Sequence, residues 1–152
     1  MQVCKFMKTV TSEIGVAESG TNLVKYWDDY KQWTGRNLQG EPWCAMFVTW
    51  CLVKSNKLGC PVSPKAWHYY CPAMVEHFDS KGKYVEGSEG CKSGYIVFFD
   101  WDGDGVADHV GFCEYVGAKY LCTIEGNADG KVKRCMRNRY SVLGYAKLVL
   151  KW

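Results

Sequence analysis

The chain has 152 residues, 47% hydrophobic, 15% aromatic and 23% charged, which is enough apolar material to close a core and too much for a disordered or fibrous chain. A net charge of +3 is too mild for a domain whose main partner is nucleic acid. The longest uncharged apolar stretch, residues 42–53, is twelve residues against the roughly 20 that cross a bilayer, so no membrane span is expected.

At the N-terminus, Lys5 and Lys8 interrupt the apolar residues, so no secretory signal is read there. Residues 5–18 predict an amphipathic helix, with Phe6, Val10, Ile14 and Ala17 three and four apart and Gly20 beyond the end. Residues 22–36 are aromatic and polar and predict a short helix. Residues 41–54 are apolar on every face and follow Pro42, which suits a first helical turn, so they predict a buried central helix. Residues 56–63 read as a turn-rich connection, and Pro72 opens a further short helix ending at Gly82.

From Lys83 the pattern changes to short β-branched and aromatic runs at 94–99, 109–116, 119–125, 131–138 and 144–152, separated by Gly, Asp or Asn. Helices followed by hairpin-connected strands predict an α+β fold, with the N-terminal helices packed on a curved antiparallel sheet. No repeat or linker interrupts the chain, so one domain over 1–152 is expected. Residues 131–151 carry seven basic residues and no acid. These read either as solvated strand faces or as an attraction to a polyanionic surface such as a bacterial wall.

Nine cysteines are present without any Cys-x-x-Cys pair, which removes the local signature of a zinc ribbon or a thioredoxin-like site. Most are expected to be reduced and buried as small apolar residues. Cys44 differs because it opens the central helix, where free N–H groups and the positive end of the dipole stabilise a thiolate. Cys51, two turns deeper on the same face, reads as structural. A cysteine nucleophile needs a base and a group to orient that base. His68 and His77 lie in the helical half with nothing nearby to orient them. His109 opens a strand, so the sheet fixes its face. The next strand ends Thr123-Ile-Glu-Gly-Asn127. If it returns antiparallel, Glu125 and Asn127 come back beside His109 on one face. Glu125 is thus either the orienting group or a strand-end charge facing water.

The segment 100–108 places oxygen donors at alternate positions: Asp100, Asp102, Asp104, the Val106 carbonyl and Asp108, with Gly105 where a calcium loop turns sharply. The glutamate of a complete EF-hand is missing, since Gly111 stands at the twelfth position. A bound Ca²⁺ is expected, with a merely solvated turn as the other reading.

Three stretches together resemble the cysteine, histidine-dependent amidohydrolase/peptidase (CHAP) family, papain-like hydrolases of bacterial peptidoglycan. They are Pro42-Trp-Cys-Ala-Met-Phe-Val-Thr-Trp-Cys51, residues 94–111 from Gly94 through the acidic loop to His109-Val-Gly111, and Thr123-Ile-Glu-Gly-Asn127, in the family's order and spacing. The resemblance implies Cys44 as nucleophile, His109 as general base, Glu125 as orienting acid and Asn127 as its accompanying amide. Tyr95 departs from the family, which often has aspartate there. A backbone N–H at the helix start would steady the oxyanion; Gln39 is a weaker candidate for a second donor.

The implied function is a lytic, calcium-assisted peptidoglycan hydrolase. It would cleave either the bond between muramic acid and L-alanine, as an N-acetylmuramoyl-L-alanine amidase, or a peptide bond, as an endopeptidase. It is expected to act as a monomer on the bacterial wall, reached as a holin-released phage endolysin or as one domain of a secreted wall enzyme. The alternative is a calcium-dependent, catalytically inactive wall-binding module that uses Tyr26, Trp27, Tyr69 and Tyr70 as an exposed glycan platform.

Overall fold

The structure, a computed structural model, describes residues 5–57 and 64–148. The first helix, α1 (Lys5–Ser12), buries Phe6, Met7 and Val10 and sets Phe6 edge-on to Phe112 at 5.1 Å. It ends six residues before the predicted boundary, for a tertiary reason. Gly15 adopts φ 98° and donates its N–H to the Val132 carbonyl, while Val132 donates back to Val16. Ala17 then pairs opposite Lys131, so residues 15–17 cover a strand edge instead of continuing a helix.

Helix α2 (Lys25–Thr34) stops at Gly35, whose left-handed backbone (φ 81°) lets its N–H cap the Lys31 carbonyl. Its aromatic residues correct one expectation. Tyr26 and Trp27 are fully buried, and Tyr26 packs between Trp43 and Trp50. Neither can serve as an exposed glycan platform; of the four residues proposed for one, Tyr70 alone is largely exposed and Tyr69 is half-buried.

Helix α3 (Cys44–Lys54) is buried on every face from Cys44 through Val53, as its unbroken apolar sequence predicts. A short 3-10 turn, Ala66–His68, leads to α4 (Cys71–Ser80), which carries Pro72 in its first turn and buries Met74 and Phe78 four residues apart. No helix among the described residues is long and apolar enough to cross a membrane.

Six antiparallel strands follow: β1 (Tyr84–Glu86), β2 (Ile96–Phe99), β3 (His109–Val116), β4 (Tyr120–Ala128), β5 (Lys131–Asn138) and β6 (Val142–Ala146). They lie in the order β1-β6-β2-β3-β4-β5. The three-residue β1 is too short to show a period and was not anticipated. The last predicted run ends sooner than expected as β6, and its positions 149–152 lie outside the described residues, as do 58–63 of the predicted connection.

One sheet face carries the helices. The other buries a smaller cluster around Val97, Phe99, Cys113, Leu121 and Tyr145. Burial on both faces explains why β2 reads as an unbroken apolar run without alternation. The α+β architecture agrees with the sequence. Helix α3 can lie directly on β4 because Gly126 has no side chain: a Cβ there would stand 2.6 Å from the Phe47 Cβ.

Candidate active site

Cys44 is the first residue of α3, so its sulfur sits at the positive end of a helix whose first-turn N–H groups have no intrahelical acceptor. The neighbouring sulfur of Cys71, 3.6 Å away, shares a hydrogen bond with it. That bond holds the Cys44 thiol well below its ordinary range. Burial opposes the effect, while the His109 imidazole and the Ala45 N–H reinforce it. Cys71 is pushed up in turn, first by its hydrogen bond with Cys44 and then by burial. The deeper Cys51 is raised well above its usual value by burial, which fits the structural role read for it.

His109, the first residue of β3, is buried, and its Nε2 meets Glu125 Oε1 at 2.7 Å. The Cys44 sulfur is the other group close enough to influence the ring electrostatically. Burial works against the charged imidazole. The Cys44 sulfur and the Glu125 carboxylate together outweigh it and raise His109 to about 9. Cys44 lowered and His109 raised are the directions that favour a thiolate beside an imidazolium.

Glu125 has no exposed surface and four hydrogen bonds. Besides His109, it accepts two from Arg137, Nη2 to Oε1 at 2.6 Å and Nε to Oε2 at 2.9 Å, and one from Thr123 Oγ1 at 2.5 Å. Burial alone would favour the neutral acid. Arg137, His109 and Thr123 reverse that and bring Glu125 to about 2. Of the two readings of Glu125, the geometry fits the orienting group and not a charge facing water. The Arg137 guanidinium lies over the Trp101 ring at 4.8 Å, and Trp101 lies 5.9 Å from the His109 ring, so the loop before β3 roofs this network.

The structure joins His109 to Glu125 and couples His109 to Cys44, while the strand is irregular at Asn127. A bulge interrupts the β4–β5 register between Glu125 and Ala128, and Asn127 takes a left-handed φ of 55°. The strict alternation that would place Glu125 and Asn127 on one face therefore fails there. Gln39 is occupied elsewhere: its side-chain amide exchanges two hydrogen bonds with the Val24 backbone and donates a third to Asp28. His68 and His77 pack on Trp67, His77 stacked at 3.9 Å, away from Cys44.

Two residues of the network went unnoticed in the sequence. Cys71 follows two tyrosines and reads as a small core residue; the signal available was the helix start marked by Pro72, the same argument that selects Cys44. Arg137 sits in the basic run that reads either as solvated strand faces or as an attraction to a polyanionic surface.

Cys44 and Cys71 line a groove of about 380 Å³ that opens between Pro42, Tyr70, Glu41 and Asp108. A larger cavity of about 560 Å³, lined by Trp67, His77 and several lysines, includes none of Cys44, His109 or Glu125. In the acidic loop, Asp100, Asp102, Asp104 and Asp108 each place one carboxylate oxygen within 4.8 Å of the others. Asp100 accepts N–H bonds from Gly103 and Gly105, and Asp108 accepts one from Trp101, so the loop closes on itself with its acids converging. Val106 is exposed in the same loop. This convergence of hard oxygen donors fits a calcium ion.

A family model described as the CHAP domain matches residues 34–127, a span that includes Cys44, His109, Glu125, Asn127 and the acidic loop. No curated protein sequence matches the chain. Among solved structures, it is similar to the crystal structure of Ly7917, with a TM-score of 0.56 at 15% identity, covering 95% of this chain and 61% of that one. It is likewise similar to Ly7917 with the hydrolyzing product of MDP, with a TM-score of 0.54 at 14% identity, covering 94% and 61%. At such identity the likeness is one of fold, and the chain spans 61% of the length of those structures.

Proposed function

Because the chain belongs to the CHAP domain family, we propose that it is a peptidoglycan hydrolase that cleaves an amide bond of the bacterial wall by thiol chemistry. The Cys44 thiolate attacks the amide carbonyl carbon, and the Cys44 backbone N–H at the helix start steadies the oxyanion. Imidazolium His109 gives its proton to the leaving amine as the C–N bond breaks. Neutral His109 then takes a proton from water, which hydrolyses the thioester and frees Cys44. Glu125 holds the ring through Nε2 and favours its charged form.

The observation that supports this reading is a helix-start thiol lining an open groove together with an imidazole held by a buried carboxylate. Purified walls test it. Loss of turbidity is expected for the wild type and not for Cys44→Ala; unchanged lysis in that variant removes Cys44 from the mechanism. Mass spectrometry of the released fragments separates the amidase from the endopeptidase, since the endopeptidase leaves new amino termini within the peptide and the amidase leaves a free muramic lactyl group. Binding to walls without lysis in the wild type would favour the non-catalytic wall-binding module.

Calcium belongs to the same proposal. Asp100, Asp102, Asp104, Asp108 and the Val106 carbonyl would hold it, and its charge would relieve the repulsion among four carboxylates. Asp108 directly precedes His109, and Asp108 bonds the Trp101 N–H, so an ordered loop would keep the roof over the His109–Arg137 network.

A further inference from the structure

The two sulfurs of the groove have a relationship that hydrolysis does not use. Cys44 and Cys71 are the first residues of two separate helices, α3 and α4, whose N-termini converge so that the sulfurs stand 3.6 Å apart. Each is 7% exposed, and both line the same open groove, so a small reagent reaches them together. A disulfide needs about 2.05 Å, so closing the gap requires a movement of roughly 1.5 Å, within reach of side-chain rotation.

We propose that Cys44 and Cys71 form a modification site for hydroperoxides, in which oxidation closes a reversible disulfide that masks the nucleophile. The Cys44 thiolate attacks the terminal hydroxyl oxygen, the O–O bond breaks, and hydroxide leaves from hydrogen peroxide or alkoxide from an organic hydroperoxide. Sulfur is oxidised by two electrons to a sulfenic acid, and the peroxide is reduced. Cys71 sulfur then attacks Cys44 sulfur. An S–S bond forms, the S–O bond breaks, and the Cys71 proton leaves with the hydroxide as water. A dithiol reductant returns both thiols and is itself oxidised to a disulfide. Without Cys71, a sulfenic acid at Cys44 has no resolving partner in the groove among the described residues and proceeds to the irreversible sulfinic acid. The helix-start environment that makes Cys44 an effective nucleophile toward an amide also exposes it to peroxide, and Cys71 is placed to intercept the first oxidation product.

The test exposes the full chain to hydrogen peroxide and reads mass as well as lysis, so it is independent of whether the wall is the substrate. After modest peroxide, the wild type should lose about 2 Da, and tryptic digestion should give peptide 37–54 linked to peptide 66–81. Any lytic activity should fall about tenfold or more and return with dithiothreitol. Cys71→Ser should instead gain about 32 Da on peptide 37–54 and recover less than a tenth of its own starting activity.

Peptide mapping is essential because Cys91 and Cys113 are a second pair of thiols that shift one another. A link between those two without one between Cys44 and Cys71 overturns the proposal. Sulfinic acid at Cys44 in the wild type without a preceding disulfide overturns it as well. If Cys71→Ser fails to fold, the wild-type peptide map decides alone.

Discussion

Glu125 reaches His109 by passing over Gly111. A Cβ at position 111 would stand 2.7 Å from Glu125 Cγ, closer than real contacts allow, and 3.0 Å from the Ile124 carbonyl oxygen, tighter than most. The glycine one strand away therefore makes room for the carboxylate that holds the base. Gly111→Ala is expected to shift Glu125 and lower hydrolysis of purified walls by about 10- to 100-fold, since misplacing an orienting group by about 1 Å has that effect. Overpacking should also lower stability by about 1–3 kcal/mol. Rates together with thermal melting check it; wild-type kcat in a folded Gly111→Ala protein would show that Glu125 does not position His109.

Arg137 is the counter-charge that permits a carboxylate with no exposed surface. Removing one partner of a buried pair leaves an uncompensated charge, and because Arg137 is 29% exposed the effect falls below that for a wholly buried pair. Arg137→Met should therefore cost about 2–4 kcal/mol, read by urea unfolding at pH 7. The acid side carries a second signature. Glu125 is depressed from 4.5 to about 2 on folding, so its contribution is fully present above pH 4.5 and is lost as pH falls toward 2. Without Arg137, the onset of acid unfolding should move to higher pH. An unchanged acid midpoint in the variant would mean that Arg137 does not hold that carboxyl down.

Cys44, His109 and Glu125 were legible because each occupies a place that a local pattern marks: a helix start after Pro42, a strand start after an acidic loop, and a strand end before a glycine. The features that escaped depend on register between distant segments. Arg137 reaches Glu125 diagonally across β4 and β5, where Glu125 faces Lys133 and Arg137 faces Leu121, a pairing no single-strand pattern reveals. The bulge between Glu125 and Ala128 and the early end of α1 at the β5 edge are likewise products of long-range hydrogen bonding. Four helices on a sheet followed from local apolar patterns and their Pro and Gly boundaries, whereas the burial of Tyr26 and Trp27 required knowing which way α2 faces.

The acidic loop gives a prediction that separates metal binding from a solvated turn. Chelation should lower both lysis and melting temperature, and Ca²⁺ should restore them where Mg²⁺ does not, because four flexible carboxylates and a carbonyl suit the larger ion. Asp104→Asn should weaken the calcium response while leaving Cys44, His109 and Glu125 in place. Full activity and an unchanged melting temperature in metal-free protein would reduce the loop to a turn.

The pH dependence of hydrolysis follows from the same constellation. Facing the His109 imidazole are Cys44 from α3 and Glu125 from β4, with Arg137 of β5 behind Glu125 and Asp108 next in the chain. Activity needs the thiolate and the imidazolium together. The acid limb of kcat/KM therefore marks protonation of Cys44, below the ordinary thiol range, and the alkaline limb marks loss of the His109 proton at about 9. A group raised on folding also stabilises the protein fully below its ordinary value of 6.5 and loses that contribution as pH rises through about 9, so alkaline inactivation and weakening of the fold should coincide. Glu125→Gln removes one of the two anions that sustain the charged ring. It should lower the rate by about 10²- to 10⁴-fold and move the alkaline limb to lower pH. A slower enzyme whose alkaline limb stayed near 9 would show that Glu125 sets the orientation of the ring but not its charge.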